Sequence, residues 1–147
     1  MELMNFKEKD FAKFHPGGSL GKNLTAKVEQ FISSQKPEVK ENTDIKEVIM
    51  SVSASKHGVT VITDNDTILG IITDGDIRRM LLKTDNIGGI IAKDIMSKNP
   101  KTVEKEALAK EAMTILKQNN IGQLIVTENG KYFGIIDLHR LLDEGIN

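Results

Sequence analysis

The 147-residue sequence contains no cysteine, which removes disulfides, thiolate nucleophiles and most structural zinc sites. It has no charge of one sign in excess: 20 Lys and Arg stand against 21 Asp and Glu, a net charge of −1. Such a balance leaves no basic footprint for nucleic acid or an anionic membrane surface, so neither is expected as a partner. It also lacks any apolar run near the roughly 20 residues that a membrane-spanning helix needs. Met1-Glu2-Leu3-Met4 does not begin a secretory signal. With no cysteine and no export signal, the expected location is the cytoplasm.

What the sequence does have is a copy of itself. Val59 to Ile72 reads VTVITDNDTILGII, and 64 residues later Gln123 to Ile136 reads QLIVTENGKYFGII. The register holds without a gap outside that core: Lys46-Glu47 aligns with Lys110-Glu111, Gly58 with Gly122, and Phe31-Ile32-Ser33 with Ile95-Met96-Ser97. Two copies do not make a solenoid, which needs several stacked units, so a face-to-face pair with ligand space in the crevice is expected. A unit of about 60 residues is marginal alone, so each half depends on the other.

Each copy reads as helix, strand, turn, strand, helix, which predicts an α/β (α+β) fold of two pseudo-symmetric repeats. In the first copy Ile45, Val48, Ile49 and Val52 form one face of a helix opened by Asn42-Thr43-Asp44 and closed by Gly58 as a left-handed cap. Val59 to Thr63 and Ile68 to Thr73 form a hairpin across Asp64-Asn65-Asp66, and Ile77, Met80 and Leu81 mark a second helix. The second copy repeats this with Ala109, Ala112, Met113 and Leu116, a turn at Asn129-Gly130, and a closing helix through Leu138, Leu141 and Leu142. Thr84 to Gly89 is the natural break between them. The expected division is a leading segment over 1–27, repeat one over 28–83, a linker over 84–91 and repeat two over 92–147.

Chemistry is best placed where each second strand enters its helix. In Gly70-Ile71-Ile72-Thr73-Asp74-Gly75-Asp76-Ile77-Arg78-Arg79, Thr73 and Asp76 form a capping box in the plain structural reading. The same geometry suits a ligand: a helix start with a hydroxyl and a nearby glycine seats phosphate, and a carboxylate one turn in accepts from ribose hydroxyls. Arg78 and Arg79 offer charge-assisted contacts to phosphate.

These residues resemble the cystathionine-β-synthase (CBS) domain, whose tandem pairs, Bateman modules, commonly bind adenosyl or other nucleotide ligands. The family's nucleotide signature of Gly, two apolar residues, Thr or Ser, any two and Asp matches Gly70, Thr73 and Asp76. The aligned residues of the second copy are Asp137 and Arg140, so the resemblance implies one competent site and one degenerate site. Thr73, Asp74, Asp76, Arg79, His57 and Gly58 are the candidate nucleotide-site residues. The expected ligand is of the AMP, ATP or CMP type, with no cofactor required.

A second, narrower resemblance is carried by Asn5-Phe6-Lys7, Asp10-Phe11-Ala12, His15-Pro16-Gly17-Gly18-Ser19-Leu20-Gly21 and TDGDIRRM at Thr73 to Met80. This is similar to bacterial D-arabinose 5-phosphate isomerases, in which a sugar-isomerase (SIS) domain precedes a CBS pair. That resemblance implies a regulatory part whose partner is an SIS catalytic domain absent from this chain, with His15 catalytic only alongside it. Phe6, Phe11 and Phe14 are read as surface left by that domain, and a homodimer through the CBS pair is expected.

Other motifs carry less. Gly17 to Lys22 lacks P-loop spacing and reads as a hinge. His57 aligns with Ile121 and is expected to pack at the crevice or to stack on a base. His139 is expected in solvent. Three scattered histidines make no metal site, and Asp64-Asn65-Asp66 fails the calcium-loop pattern. No nucleophile, base and orienting group assembles from these motifs, so the chain alone is not expected to be an enzyme. A ligand-free oligomerisation platform is the rival to the nucleotide sensor.

Overall fold

Asp44 starts the first long helix, its carboxylate accepting the Lys46 N–H at 3.0 Å, and α1 (Ile45–Ala54) then buries Ile45, Val48 and Val52. The computed structural model in which this is seen describes residues 24–147. Short β1 (Glu38–Val39) precedes α1, and β2 (Val59–Asp64) and β3 (Thr67–Thr73) follow as a hairpin turning through Asn65 and Asp66 at φ 52° and 67°. Next come α2 (Asp74–Lys83), the single-turn α3 (Ala92–Ile95) and β4 (Ser97–Lys98). The second half supplies β5 (Thr102–Glu104), α4 (Ala109–Gln118), β6 (Gln123–Glu128), β7 (Lys131–Asp137) and α5 (Leu138–Asp143).

The strands run in the order β1-β2-β3-β7-β6-β5, with β4 beside β3. The halves meet where β3 and β7 pair at Thr67 and Lys131, and the Lys131 ammonium donates to the Thr67 hydroxyl at 2.9 Å. Those two residues are 64 positions apart, the sequence repeat itself, so the pseudo-twofold axis passes between them. Even the irregularities repeat: β2 slips register at Ile62/Thr63 against β3, and β6 at Val126/Thr127 against β7.

Each half contributes its leading segment to the other half's core. Val28 N–H donates to Ala107 O at 2.9 Å, Glu29 N–H to Lys105 O at 3.0 Å, and Ala109 N–H to Ala26 O at 2.8 Å. The symmetric set is Ala92 N–H to Thr43 O at 2.9 Å, Lys93 N–H to Glu41 O at 2.9 Å and Ile45 N–H to Ile90 O at 3.0 Å. Accordingly Ala26, Val28 and Phe31 are buried with Ala109, Met113, Leu116 and Leu141, while Ala92 is buried with Ile45, Val48 and Ile72. A third cluster of Val59, Val61, Ile125, Tyr132 and Ile135 fills the space between the halves. Strands β2 and β6 are therefore covered on both faces, which explains their near-continuous apolar sequence.

Three expectations are corrected. The helix α1 ends at an extended Ser55, and the left-handed residue Gly58, at φ 65°, instead turns the chain into β2. Leu81 and Leu142, read as apolar-face residues, are about half exposed at 52% and 47%, because α2 and α5 bury only a narrow stripe through Met80 and Leu141. The repeat also includes a short strand before its first helix, too brief to show a period.

The second hairpin, at Asn129 and Gly130, is clamped by Glu104. The Thr127 hydroxyl donates to that carboxylate, and the N–H groups of Asn129 and Gly130 donate at 3.0 and 3.3 Å. The Thr127 bond, helped by the two backbone bonds, holds the Glu104 pKa below its ordinary 4.5. A carboxyl lowered on folding adds stability above its unfolded value and loses it as pH falls through the folded one. Melting temperature should therefore fall with pH below about 4.5, with a shallower slope in Glu104→Gln. Equal slopes in wild type and variant would exclude this clamp as a source of acid lability.

Candidate functional site

The start of α2 is built as the capping motif predicts. Asp76 N–H donates to the Thr73 hydroxyl at 3.3 Å, while Asp76 Oδ2 accepts Thr73 N–H at 2.9 Å and the Thr73 hydroxyl at 3.2 Å. Asp76 Oδ1 accepts from Arg79 Nη2 at 2.7 Å, and the Ser97 hydroxyl stands 3.5 Å away. The Asp76 side chain is only 9% exposed. Asp74 N–H donates to Gly58 O at 3.0 Å, and a Cβ on Gly58 would collide with the Asp74 carboxylate. Thr73, Asp74, Asp76, Arg79 and Gly58 are thus gathered at one place. Asp76 and Arg79 open into a groove of about 420 Å³ floored by Met80, Ile90 and Ile95, with Lys83 and Asp94 at its sides.

His57 does something else with its ring. Nδ1 meets Asp137 Oδ2 at 2.9 Å and Nε2 meets the Ser33 hydroxyl at 2.8 Å, so the ring lies in a crevice between the halves and bonds across to the end of β7. Asp137 Oδ1 meanwhile caps α5, accepting from His139 N–H at 2.7 Å and Arg140 N–H at 3.4 Å. The pseudo-symmetric counterpart of His57 and Asp137 is Ile121 and Thr73, so one crevice is crossed by a polar bond between the halves that the other lacks. His139 and Arg140 line this second crevice, of about 390 Å³, with Lys56 and Asp143. Arg140 Nε also lies 3.6 Å from Glu144. Ser33 Oγ additionally accepts Gln35 N–H at 3.1 Å, and the hydroxyl, imidazole and carboxylate in line act as a clasp between halves.

Ser33, which lines the second crevice, and Ser97, which reaches Asp76, were not singled out by sequence reasoning. The signal for them was present, since they close the aligned triplets Phe31-Ile32-Ser33 and Ile95-Met96-Ser97. His15, Phe6, Phe11, Phe14 and the Gly17 to Lys22 stretch lie outside the described residues. Among the described residues no cluster of three metal-ligating side chains occurs, and no helix is long and apolar enough to cross a membrane.

Comparison with known proteins adds ancestry to this geometry. Residues 28–83 and 92–147 each match the CBS domain family. The arabinose 5-phosphate isomerase KdsD of Francisella tularensis is 37% identical over 145 residues, covering 97% of this chain and 44% of that protein. The arabinose 5-phosphate isomerase KdsD of Pseudomonas aeruginosa is 35% identical over 150 residues, covering 99% and 46%. The chain thus spans less than half the length of these relatives. The CBS domain protein PAE2072 from Pyrobaculum aerophilum, complexed with AMP, superposes with a TM-score of 0.71 at 20% identity, covering 78% of this chain and 89% of that one. The CBS domain pair of protein MJ0100, in complex with 5′-methylthioadenosine and S-adenosyl-L-methionine, gives 0.71 at 19% identity, covering 81% and 94%. At these identities the structural likeness is one of fold.

Proposed function

The chain belongs to the CBS domain family as a tandem pair, and we propose that it is the nucleotide-sensing regulatory module of a D-arabinose 5-phosphate isomerase, serving synthesis of the sugar Kdo. The observation that carries this reading is the Asp76 carboxylate, nine-tenths buried beside Thr73 at the start of a ten-residue helix and facing a groove that both repeats' sequence segments line. A buried carboxylate with one oxygen turned to a groove is an acceptor for ribose hydroxyls, and the helix start favours phosphate. This reading is supported by relatives at 35–37% identity that are named as that isomerase, and by CBS pairs of the same fold solved with AMP or S-adenosyl-L-methionine. The ligand is an adenine or cytidine nucleotide, a cytidine nucleotide sugar being the feedback signal that the pathway would offer.

A ligand regulates only by binding one arrangement of the halves better than another. The halves meet through the Thr67–Lys131 bridge, the core cluster of Val59, Val61, Ile125, Tyr132 and Ile135, and the His57 clasp, while Ala26 to Phe31 leads directly onto the second half. A shift of the second half therefore moves the segment that continues into residues 1–27 and, through it, the catalytic SIS domain. The test is a thermal-shift panel of AMP, ATP, CMP and CMP-Kdo on wild type, Thr73→Ala and Asp76→Ala. Ligand at about 100 times its Kd stabilises a fold by about 2.7 kcal/mol, several degrees here. A shift with one nucleotide, lost in both variants, is expected; no shift with any of them, or an undiminished shift in the variants, overturns the site.

A second reading rests on Leu81, Leu82 and Leu142, which are 52%, 82% and 47% exposed on α2 and α5. Apolar surface of this kind suits a homodimer through the pair. Light scattering that finds a tight dimer indifferent to every nucleotide would favour a platform over a sensor.

A further inference from the structure

Asp76 has only one oxygen to offer a ligand, and that oxygen is already taken. Oδ2 is used by the Thr73 N–H and hydroxyl, which leaves Oδ1, where Arg79 Nη2 donates at 2.7 Å and the Ser97 hydroxyl stands at 3.5 Å, so that both its lone pairs are addressed. The Arg79 side chain is 64% exposed and its guanidinium folds back over the first turn of α2, so that a Cβ on Gly75 would stand 3.3 Å from Nη1. A ribose diol and this guanidinium therefore compete for one acceptor.

We infer that Arg79 is a built-in stand-in for the ligand, which a ribose displaces from Asp76 and which then pairs with the ligand's phosphate. This inference rests on the nucleotide reading above and assigns Arg79 the choice between nucleotide and nucleoside. An exposed ion pair between i and i+3 is a weak latch, so displacing it is feasible, but a neutral nucleoside receives nothing in return. A nucleotide gives the freed guanidinium a new anion, and the planar fork binds phosphate with two parallel hydrogen bonds. The charge lost from Asp76 is thus recovered on phosphate, and the site reads the phosphate although its acceptor reads the sugar.

The experiment is calorimetric titration of a nucleoside and its 5′-monophosphate, adenosine with AMP and cytidine with CMP, into wild type and Arg79→Gln. Removing the competitor should tighten nucleoside binding by about two- to fivefold, while losing the phosphate partner should weaken the monophosphate by about tenfold or more. Opposite signs for the two ligands are the signature. Equal weakening of both, or no change in either, would overturn the role of Arg79 while leaving the nucleotide site standing. If wild type binds neither AMP nor CMP, the underlying reading fails and this inference fails with it.

Discussion

Phe31→Ala is expected to lower stability by about 3–5 kcal/mol and to loosen the second half rather than the first. Phe31 is 4% exposed and belongs by sequence to the first repeat, yet its ring is buried with Ala109, Met113, Leu116 and Leu141 of the second. Truncating a buried aromatic loses its transfer free energy and leaves a cavity that the neighbours only partly fill. The loss is a large fraction of an ordinary domain's stability, so the melting temperature should drop by roughly 10 °C or more. Hydrogen exchange locates the damage: amides of α4, β6 and β7 should lose protection before those of α1 and β2. Earlier loss in α1 and β2 would contradict the exchange of leading segments.

Gly70→Val is the reciprocal experiment, with an expected cost of about 3 kcal/mol felt in the first half. A Cβ at Gly70 would stand 2.8 Å from both the Ser97 carbonyl oxygen and the Met96 sulfur. The sulfur sits on a flexible side chain, but the carbonyl is fixed because Ser97 pairs with Ile71 in the β3–β4 ladder. The equivalent glycine, Gly134, meets Ile32 at 2.8 Å in the same way. Both glycines mark where a crossing segment presses on a central strand. Gly122→Ala is the control: nothing lies within 4 Å of its added Cβ and its φ is not left-handed, so its effect should stay within about 0.5 kcal/mol. Chemical denaturation of the three proteins, read as midpoints, checks the order. A Gly70→Val as stable as the Gly122→Ala control would remove the close approach from the explanation.

Gly70 also shows what the sequence made legible and what it hid. Its place before Thr73 and Asp76 matches the signature behind the proposed nucleotide site, but the contact that requires glycine there is with Met96 and Ser97, on a segment entering from the other repeat's sequence. The repeat, the hairpins and the long helices were readable because alternation and helical period are local, as in Val59 to Thr73 or Ile45 to Val52. The exchange of leading segments was not, because which core receives Phe31 is a long-range matter and the turn from Val28 to Phe31 is too short to show a period.

At the site, Thr73 and Asp76 were legible because a capping box lies within four residues. The bonds of the His57 ring were not legible, because its partner Asp137 lies 80 residues away and also serves as a helix cap. The substitution of Asp137 for the threonine of the signature reads from sequence as loss of a site. In the structure it is also the gain of a clasp, since a threonine there would lack the carboxylate that His57 now meets.

The most direct test is the stoichiometry of nucleotide binding, measured by calorimetric titration of AMP and of CMP into wild type and Asp76→Ala. One equivalent per chain in wild type and none in the variant is the predicted result, since the proposed ligand acceptor Asp76 belongs to one crevice, while the other has Arg140 at the equivalent position and its Asp137 engaged by His57. Two equivalents per chain, or binding that survives Asp76→Ala, would contradict a single sensor site at the start of α2.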